Sequence, residues 1–312
     1  MGSTQGVGAV KRALREGGYA KVKVGHGGTL DPLATGVLPI ALGEATKLAG
    51  RMLDSDKVYE FTIGFGVETD TLDLEGKVIA ESDVRPTLAA IETVLPKFTG
   101  PIDQVPPAYS ALKVDGERSY DLARAGVNVV LATRRVTVHS LNLSKNPLPL
   151  HEGVEGSFER NAAPLQPLLE GLGVVLPPAC SITLTAHVSK GTYIRSLARD
   201  IARALSTVGH VTMLRRTKAG PFTLEKAISL DLLFEKSKAR DLEDICLPMT
   251  AGLDDIPALP VTPDQAGLLR QGRVLIGIAA HDGLHLAKDG ETPVALVEVI
   301  AGNIRVVRGF NL

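Results

Sequence analysis

The chain has 312 residues, 44% of them hydrophobic and 22% charged, with a formal net charge of −1. That length can bury a substantial core and hold more than one domain, and the near-neutral charge excludes a uniformly basic nucleic-acid coat while leaving room for a local basic patch. No apolar run is long enough to span a bilayer and no signal-peptide core opens the chain, so a cytoplasmic protein without a membrane partner is expected.

The first helix is expected from Gly2-Ser3-Thr4, with Val7, Val10 and Leu14 at helical spacing and Gly17-Gly18 as its stop. Lys21-Val22-Lys23-Val24 reads as a short basic strand. It leads into Gly25-His26-Gly27-Gly28-Thr29-Leu30-Asp31-Pro32-Leu33-Ala34-Thr35-Gly36. Four glycines let this backbone adopt positive φ and approach a ligand closely. Pro32 biases Asp31 towards an extended conformation. With no second carboxylate, cysteine or phosphate-gripping Gly-Lys-Ser/Thr beside it, Asp31 suits a nucleophile or an electrostatic stabiliser better than a metal ligand. The ordinary alternative is a turn whose aspartate caps a helix.

After an apolar run from Val37 to Leu42 and a helix start at Gly43, Lys57 to Phe65 alternates as a strand, with Tyr59, Phe61, Ile63 and Phe65 on one face. Lys77 to Ala80 reads as its partner, and Asp70 and Asp73 in the loop between them as turn formers. Pro86 opens a helix bearing Leu88, Ile91 and Leu95. A proline-stiffened segment, Gln104 to Lys113, precedes a helix from Glu117 to Ala125 and a basic-headed strand, Arg134 to Val138. From 144 to 178 the prolines and glycines suggest a poorly ordered insertion.

Ser181 to Val188 is an alternating strand, followed by Ser189-Lys190-Gly191-Thr192-Tyr193-Ile194-Arg195 and a helix with Ile194, Leu197, Ala198, Ile201 and Leu205 on its apolar face. Helical geometry puts Arg195 at the border of that face, while Arg199 and Arg203 turn progressively outward. A semi-buried arginine needs a partner, and Asp31 is the natural candidate. A strand from Val211 to Leu214 ends on Arg215-Arg216. Pro257, Pro260 and Pro263 mark a linker. Beyond it a short helix, Asp264 to Leu269, and three strands, Val274 to Ile278, Ala295 to Ile300 and Ile304 to Arg308, form a small β-rich domain.

Tyr59 is either a core tyrosine or, like Tyr193, a platform for an unstacked base. His26 fits a general base, a stacking residue or a turn residue. Lys21/Lys23, Arg134/Arg135, Arg199/Arg203 and Arg215/Arg216/Lys218 would track a phosphate backbone if the fold gathered them. Cys180 and Cys246 show no ligand spacing to histidine, so no metal site is expected, and no dinucleotide or nucleotide-triphosphate fingerprint points to a cofactor.

Five ordered stretches resemble the bacterial tRNA pseudouridine-55 synthase (TruB) family: the Gly25–Gly36 loop, Asp54-Ser55-Asp56-Lys57-Val58-Tyr59, Pro107-Ala108-Tyr109-Ser110-Ala111-Leu112-Lys113, the Ser189–Arg195 string and Leu214-Arg215-Arg216. Leu247 to Gly272 resembles the family's C-terminal pattern. The resemblance implies isomerisation of a flipped-out T-loop uridine, with Asp31 as the catalytic aspartate and Arg195 as its salt-bridge partner. Tyr59 would stack on the uracil and serve in proton removal, Tyr193 and Leu214 would line the uridine pocket, and His26 would enter the disrupted T-loop stack. The implied fold class is α+β: a mixed, mainly antiparallel central sheet with flanking helices, the pseudouridine synthase fold, plus a small β-rich C-terminal domain that is PUA-like in many members. Residues 1–246 would form the catalytic domain, carrying the 144–178 insertion, and 247–312 the tRNA-binding domain. The implied partner is the T-arm stem-loop of tRNA, bound by a monomer without a small-molecule cofactor. Family members begin with a strand and a DKPxGxxS segment ahead of the first helix, and that strand is expected to be missing here. Two readings from other classes remain: a tRNA-folding chaperone with incidental or impaired catalysis, and a glycosidase using Asp31 as its nucleophile.

Overall fold

The computed structural model describes residues 2–144 and 179–312, so all but the first residue of the 144–178 stretch lies outside the described residues. The chain folds into two compact units. One takes Met1–Pro32, Val37–Ser55 and Lys218–Leu312, and the other Leu33–Gly36 and Asp56–Thr217.

The first unit opens on the helix Ser3–Glu16, whose Ala9, Val10, Ala13 and Leu14 are buried. Its N-cap, Gly2, has no side chain to offer. Gln5 supplies the cap instead, its Oε1 accepting the Gly2 N–H at 3.0 Å. The buried stripe packs against a helix at Leu230–Ala239, absent from the sequence reading. Val10, Ala13 and Leu14 share one core cluster with Leu233 and Leu242. The strand expected at Lys21–Val24 lies further on, at Val24–His26, and pairs antiparallel with Ile40–Leu42. Gly43–Leu48 is a 3-10 turn running into the helix Ala49–Asp54.

The same unit holds a five-stranded sheet in the order Ala258–Pro260, Gly283–Asp289, Thr292–Ile300, Asn303–Gly309, Leu275–Ile276. Its first pairing is parallel and the rest antiparallel. One face, including Ala295, Val297 and Val299, packs on the helix Pro263–Arg270 through Ala266 and Leu269. Leu286, Leu296 and Phe310 join Leu48, Leu253 and Ile256 in a separate cluster. Each fully buried aliphatic side chain here contributes about 1.5–3 kcal/mol. The segment read as a proline-marked linker is thus partly an edge strand.

The second unit is built on a mainly antiparallel sheet. Lys57–Phe65 is central, flanked by Ser181–Val188 on one side and Gly209–Ala219 on the other; Arg134–Leu143 and then Gly100–Gln104 extend the first flank. Thr35–Gly36 joins in parallel beside Arg215–Arg216. The helix Ile194–Ala204 packs on the central strand, which explains why Phe61, Ile63, Leu197, Ala198 and Ile201 are fully buried. Thr62 is buried as well, and its hydroxyl meets that of Thr183 at 2.9 Å. The clean alternation of Lys57–Phe65 therefore does not mean one wet face, because residues 61–63 are covered on both sides.

Candidate active site

Asp31 is half-buried on a loop held from below. The Ser3 hydroxyl, itself buried, accepts the Leu30 N–H at 2.7 Å and so fixes the residue before Asp31. A Cβ on Gly27 would sit 2.5 Å from the Met52 Cβ, so glycine is needed for close approach rather than for its dihedral angle. Of the four glycines expected to take positive φ, only Gly28 and Gly36 do. No helix starts at Asp31, which removes the capping alternative. His26 lies on the strand Val24–His26, and its Nδ1 accepts the Gly28 N–H at 3.4 Å, a turn contact.

At the far end of the motif, Gly36 has φ +95°, and a Cβ there would lie 2.2 Å from the Arg216 carbonyl oxygen. Only glycine allows Thr35–Gly36 to run so close beside Arg215–Arg216. Arg216 is itself 1% exposed. It therefore cannot belong to the surface patch proposed from the sequence, whereas Lys21, Lys23, Arg134 and Arg135 are exposed.

The second unit places Tyr59 half-buried opposite Ala186, on the central strand. Leu214 is buried on the adjacent strand. Tyr193 sits in extended backbone at the N-cap of the helix Ile194–Ala204. The Gln104 side-chain amide grips the backbone there twice, its Oε1 accepting the Tyr193 N–H at 2.8 Å and its Nε2 donating to the Tyr193 carbonyl at 3.1 Å. Gln104 is buried, and the sequence reading gave it no part. Its only local signal is its place at the head of the proline-stiffened segment.

Arg195 is buried, and it is the innermost of the three helix arginines, as helical geometry required. Its Nη1 donates to the Thr71 carbonyl at 2.8 Å and its Nη2 to the Tyr109 carbonyl at 3.0 Å. Asp73 pairs with Nη1 at 3.3 Å, both side chains being 5% exposed. Asp73 also accepts the Thr71 hydroxyl at 2.6 Å and the Glu75 N–H at 3.0 Å. It is a turn former, as read from the sequence, and an ion-pair partner that reading missed. Asp70 accepts the Lys77 N–H at 2.9 Å and the Tyr109 hydroxyl at 3.2 Å. Burial, and then the Asp70 charge, raise the Tyr109 phenol above its usual value. The loop from Asp70 to Asp73, the Tyr109 segment and Arg195 thus form one hydrogen-bonded block.

Residues 14–158 match the model of the TruB family pseudouridylate synthase (N terminal domain), and residues 195–254 match the tRNA pseudouridylate synthase B C-terminal domain. The tRNA pseudouridine synthase B of Novosphingobium aromaticivorans is 61% identical over 312 residues, covering 100% of this chain and 94% of that protein. The chain belongs to the TruB family. The Zymomonas mobilis member is 55% identical over 100% of this chain and 92% of its own. Among solved structures, a chain from an H/ACA RNP bound to a substrate RNA containing 2′-deoxyuridine superposes with a TM-score of 0.66 at 20% identity, covering 100% of this chain and 82% of that one. A chain of a Cbf5-Nop10-Gar1 complex gives 0.66 at 22%, over 100% of this chain and 81% of its own. These two share the fold, which is the α+β architecture expected of a TruB-family sequence. Among the described residues, no helix is long and apolar enough to cross a membrane.

Proposed function

We infer that this chain isomerises uridine to pseudouridine in tRNA, and we propose that the target is position 55 in the T loop, with Asp31 as the catalytic carboxylate. The reading is carried by 61% identity over the whole chain to a tRNA pseudouridine synthase B. In the reaction the N1–C1′ bond breaks, the uracil turns, and C5 bonds to C1′ before losing its proton. Atoms and charge balance with no water consumed. A carboxylate beside an electron-poor anomeric carbon meets the same need that it meets in glycosidases, but here the leaving base stays bound and is reused.

Asp31, Tyr59 and Arg195 are the catalytic residues in this proposal. Tyr59 stacks on the uracil and takes part in proton removal, while Tyr193 and Leu214 line the uridine pocket. His26 enters the T-loop stack, where a flipped-out base leaves a gap. The rigid backbone next to Asp31, clamped by Ser3, supports a part for that carboxylate in which position matters. The protein acts as a cytoplasmic monomer on the T-arm stem-loop, with residues 247–312 adding affinity for tRNA.

The test is incubation of the full chain with a T-arm stem-loop transcript, with pseudouridine mapped by carbodiimide primer extension. One modified site at position 55 is expected, absent with Asp31→Asn although that variant still binds RNA. Undiminished turnover by Asp31→Asn overturns the assignment of Asp31. Wild-type protein that binds and anneals tRNA without modifying it turns the reading towards a chaperone.

A further inference from the structure

Asp56, His139 and His187 meet on one side of the second unit's sheet, outside the residues assigned to the reaction. The Asp56 Oδ2 lies 3.1 Å from the His139 Nε2 and 3.7 Å from the His187 Nε2, and the three ligand atoms all fall within 4.8 Å of one another. Two come from adjacent strands and the third stands just ahead of the next. Asp56 immediately precedes Lys57–Phe65, His187 is on Ser181–Val188, and His139 is on Arg134–Leu143. The register between the last two strands shifts between Val138 and Ser140, so His139 and Ser140 both stand against His187. That is a bulge, a local feature that re-aims a side chain. It leaves the two imidazole rings with centroids 4.7 Å apart. No short spacing in the sequence reveals this set, which assembles only when the strands pair.

We propose that Asp56, His139 and His187 bind one divalent transition-metal ion of the zinc class. Two imidazole nitrogens and one carboxylate oxygen are a donor set for such an ion, leaving a fourth position to water. With metal–ligand bonds of about 2.0–2.1 Å, tetrahedral neighbours lie about 3.3–3.4 Å apart. The 3.1 and 3.7 Å separations from Asp56 bracket that spacing, and all three ligand atoms lie within 4.8 Å of one another. All three side chains are 38–47% exposed, which leaves an entry path from solvent. Imidazole donors disfavour magnesium, which prefers oxygen ligands and keeps its waters. A bound ion would tie the start of Lys57–Phe65, which carries Tyr59 three residues further on, to the end of Ser181–Val188 and to the bulge inside Arg134–Leu143.

Isothermal titration of the chelator-treated full chain, free of any histidine tag, with zinc tests the proposal. One zinc per chain is expected, and excess magnesium should not displace it. His139→Ala, His187→Ala and Asp56→Asn should each weaken binding on the order of 10–100-fold, as much as loss of even an outer-shell partner does. A second measurement needs no variant. In a histidine-selective NMR spectrum of the wild type, two of the seven histidines should move at one equivalent of zinc. Affinity unchanged in all three variants, displacement by magnesium, movement of other histidines, or no zinc uptake overturns the proposal.

Discussion

The hydroxyl of Ser3 accepts the backbone N–H of Leu30 at 2.7 Å, so the first turn of the first helix anchors the residue before Asp31. Ser3 is 5% exposed, and no water can easily replace it. Ser3→Ala leaves a buried N–H without that acceptor, at a cost of about 1–3 kcal/mol. Urea denaturation should show the loss, and Ser3→Thr, which keeps the hydroxyl, should recover part of it. Pseudouridine formation by Ser3→Ala should fall more than tRNA affinity, because the carboxylate is misplaced while the RNA-binding surface stays. Wild-type stability in Ser3→Ala would show that the anchor is dispensable.

Asp73 is the ion-pair partner that the loop after the central strand gives to Arg195. Removing Asp73 takes a carboxylate from beside the buried guanidinium and leaves the Thr71 hydroxyl and the Glu75 N–H without that acceptor, at a cost of about 1–3 kcal/mol for each buried group left unsatisfied. Asp73→Ala should therefore take a large share of a typical stability of about 5–15 kcal/mol. Asp73→Asn retains an oxygen for the Thr71 hydroxyl and the Glu75 N–H and should lose less. Arg195→Lys is no conservative repair: an ammonium group cannot span the Thr71 and Tyr109 carbonyls as the guanidinium fork does. Thermal melts that rank Asp73→Asn as stable as wild type would remove the charge from this account.

Local pattern revealed the first helix, the strands Lys57–Phe65 and Ser181–Val188, and the rank order of burial along Arg195, Arg199 and Arg203. Each depends on a period of 3.6 or 2 that neighbouring residues suffice to show. What escaped depends on distant partners. Arg216 looks like the end of a basic cluster, yet it is buried because Gly209–Ala219 continues as a strand past it. Gly283–Asp289 mixes glycine, histidine and lysine with its apolar residues, and its pairing with Thr292–Ile300 makes it a strand. Ala258–Pro260 hides behind its prolines, which an edge strand tolerates because one side needs no N–H donor. Within the site the same division holds. Asp31 stands out by motif, whereas Gln104 meets Tyr193 across 89 residues of chain.

Gln104→Ala removes both hydrogen bonds that hold the Tyr193 backbone ahead of the helix Ile194–Ala204. The Tyr193 amide and carbonyl lose two buried partners, and a stability loss of about 1–3 kcal/mol is expected. With Tyr193 lining the uridine pocket, the variant should raise KM for the T-arm stem-loop, while Gln104→Glu, which keeps an acceptor for the N–H, should lie between. An unchanged KM with lowered stability would confine Gln104 to a structural part.

The Tyr109 hydroxyl donates to the Asp70 Oδ2 at 3.2 Å, and the phenol is raised above its ordinary value chiefly by burial, then by the Asp70 charge and hydrogen bond. All three favour the neutral phenol. Because the folded value exceeds the unfolded one of about 10, the stabilisation is fully present below pH 10 and fades as pH rises through the folded value. The difference in 295 nm absorbance between wild type and Tyr109→Phe should show phenolate appearing only above pH 10. Asp70→Asn should lower that midpoint without returning it to the ordinary value, since burial is the larger cause. Ionising the phenol would set a second negative charge beside Asp70 in the block that holds Arg195, so that block is expected to loosen in alkali. Tyr109→Phe should therefore flatten the alkaline fall in melting temperature. A phenolate that forms at or below pH 10 in the wild type would contradict the raised value and the stability linkage together.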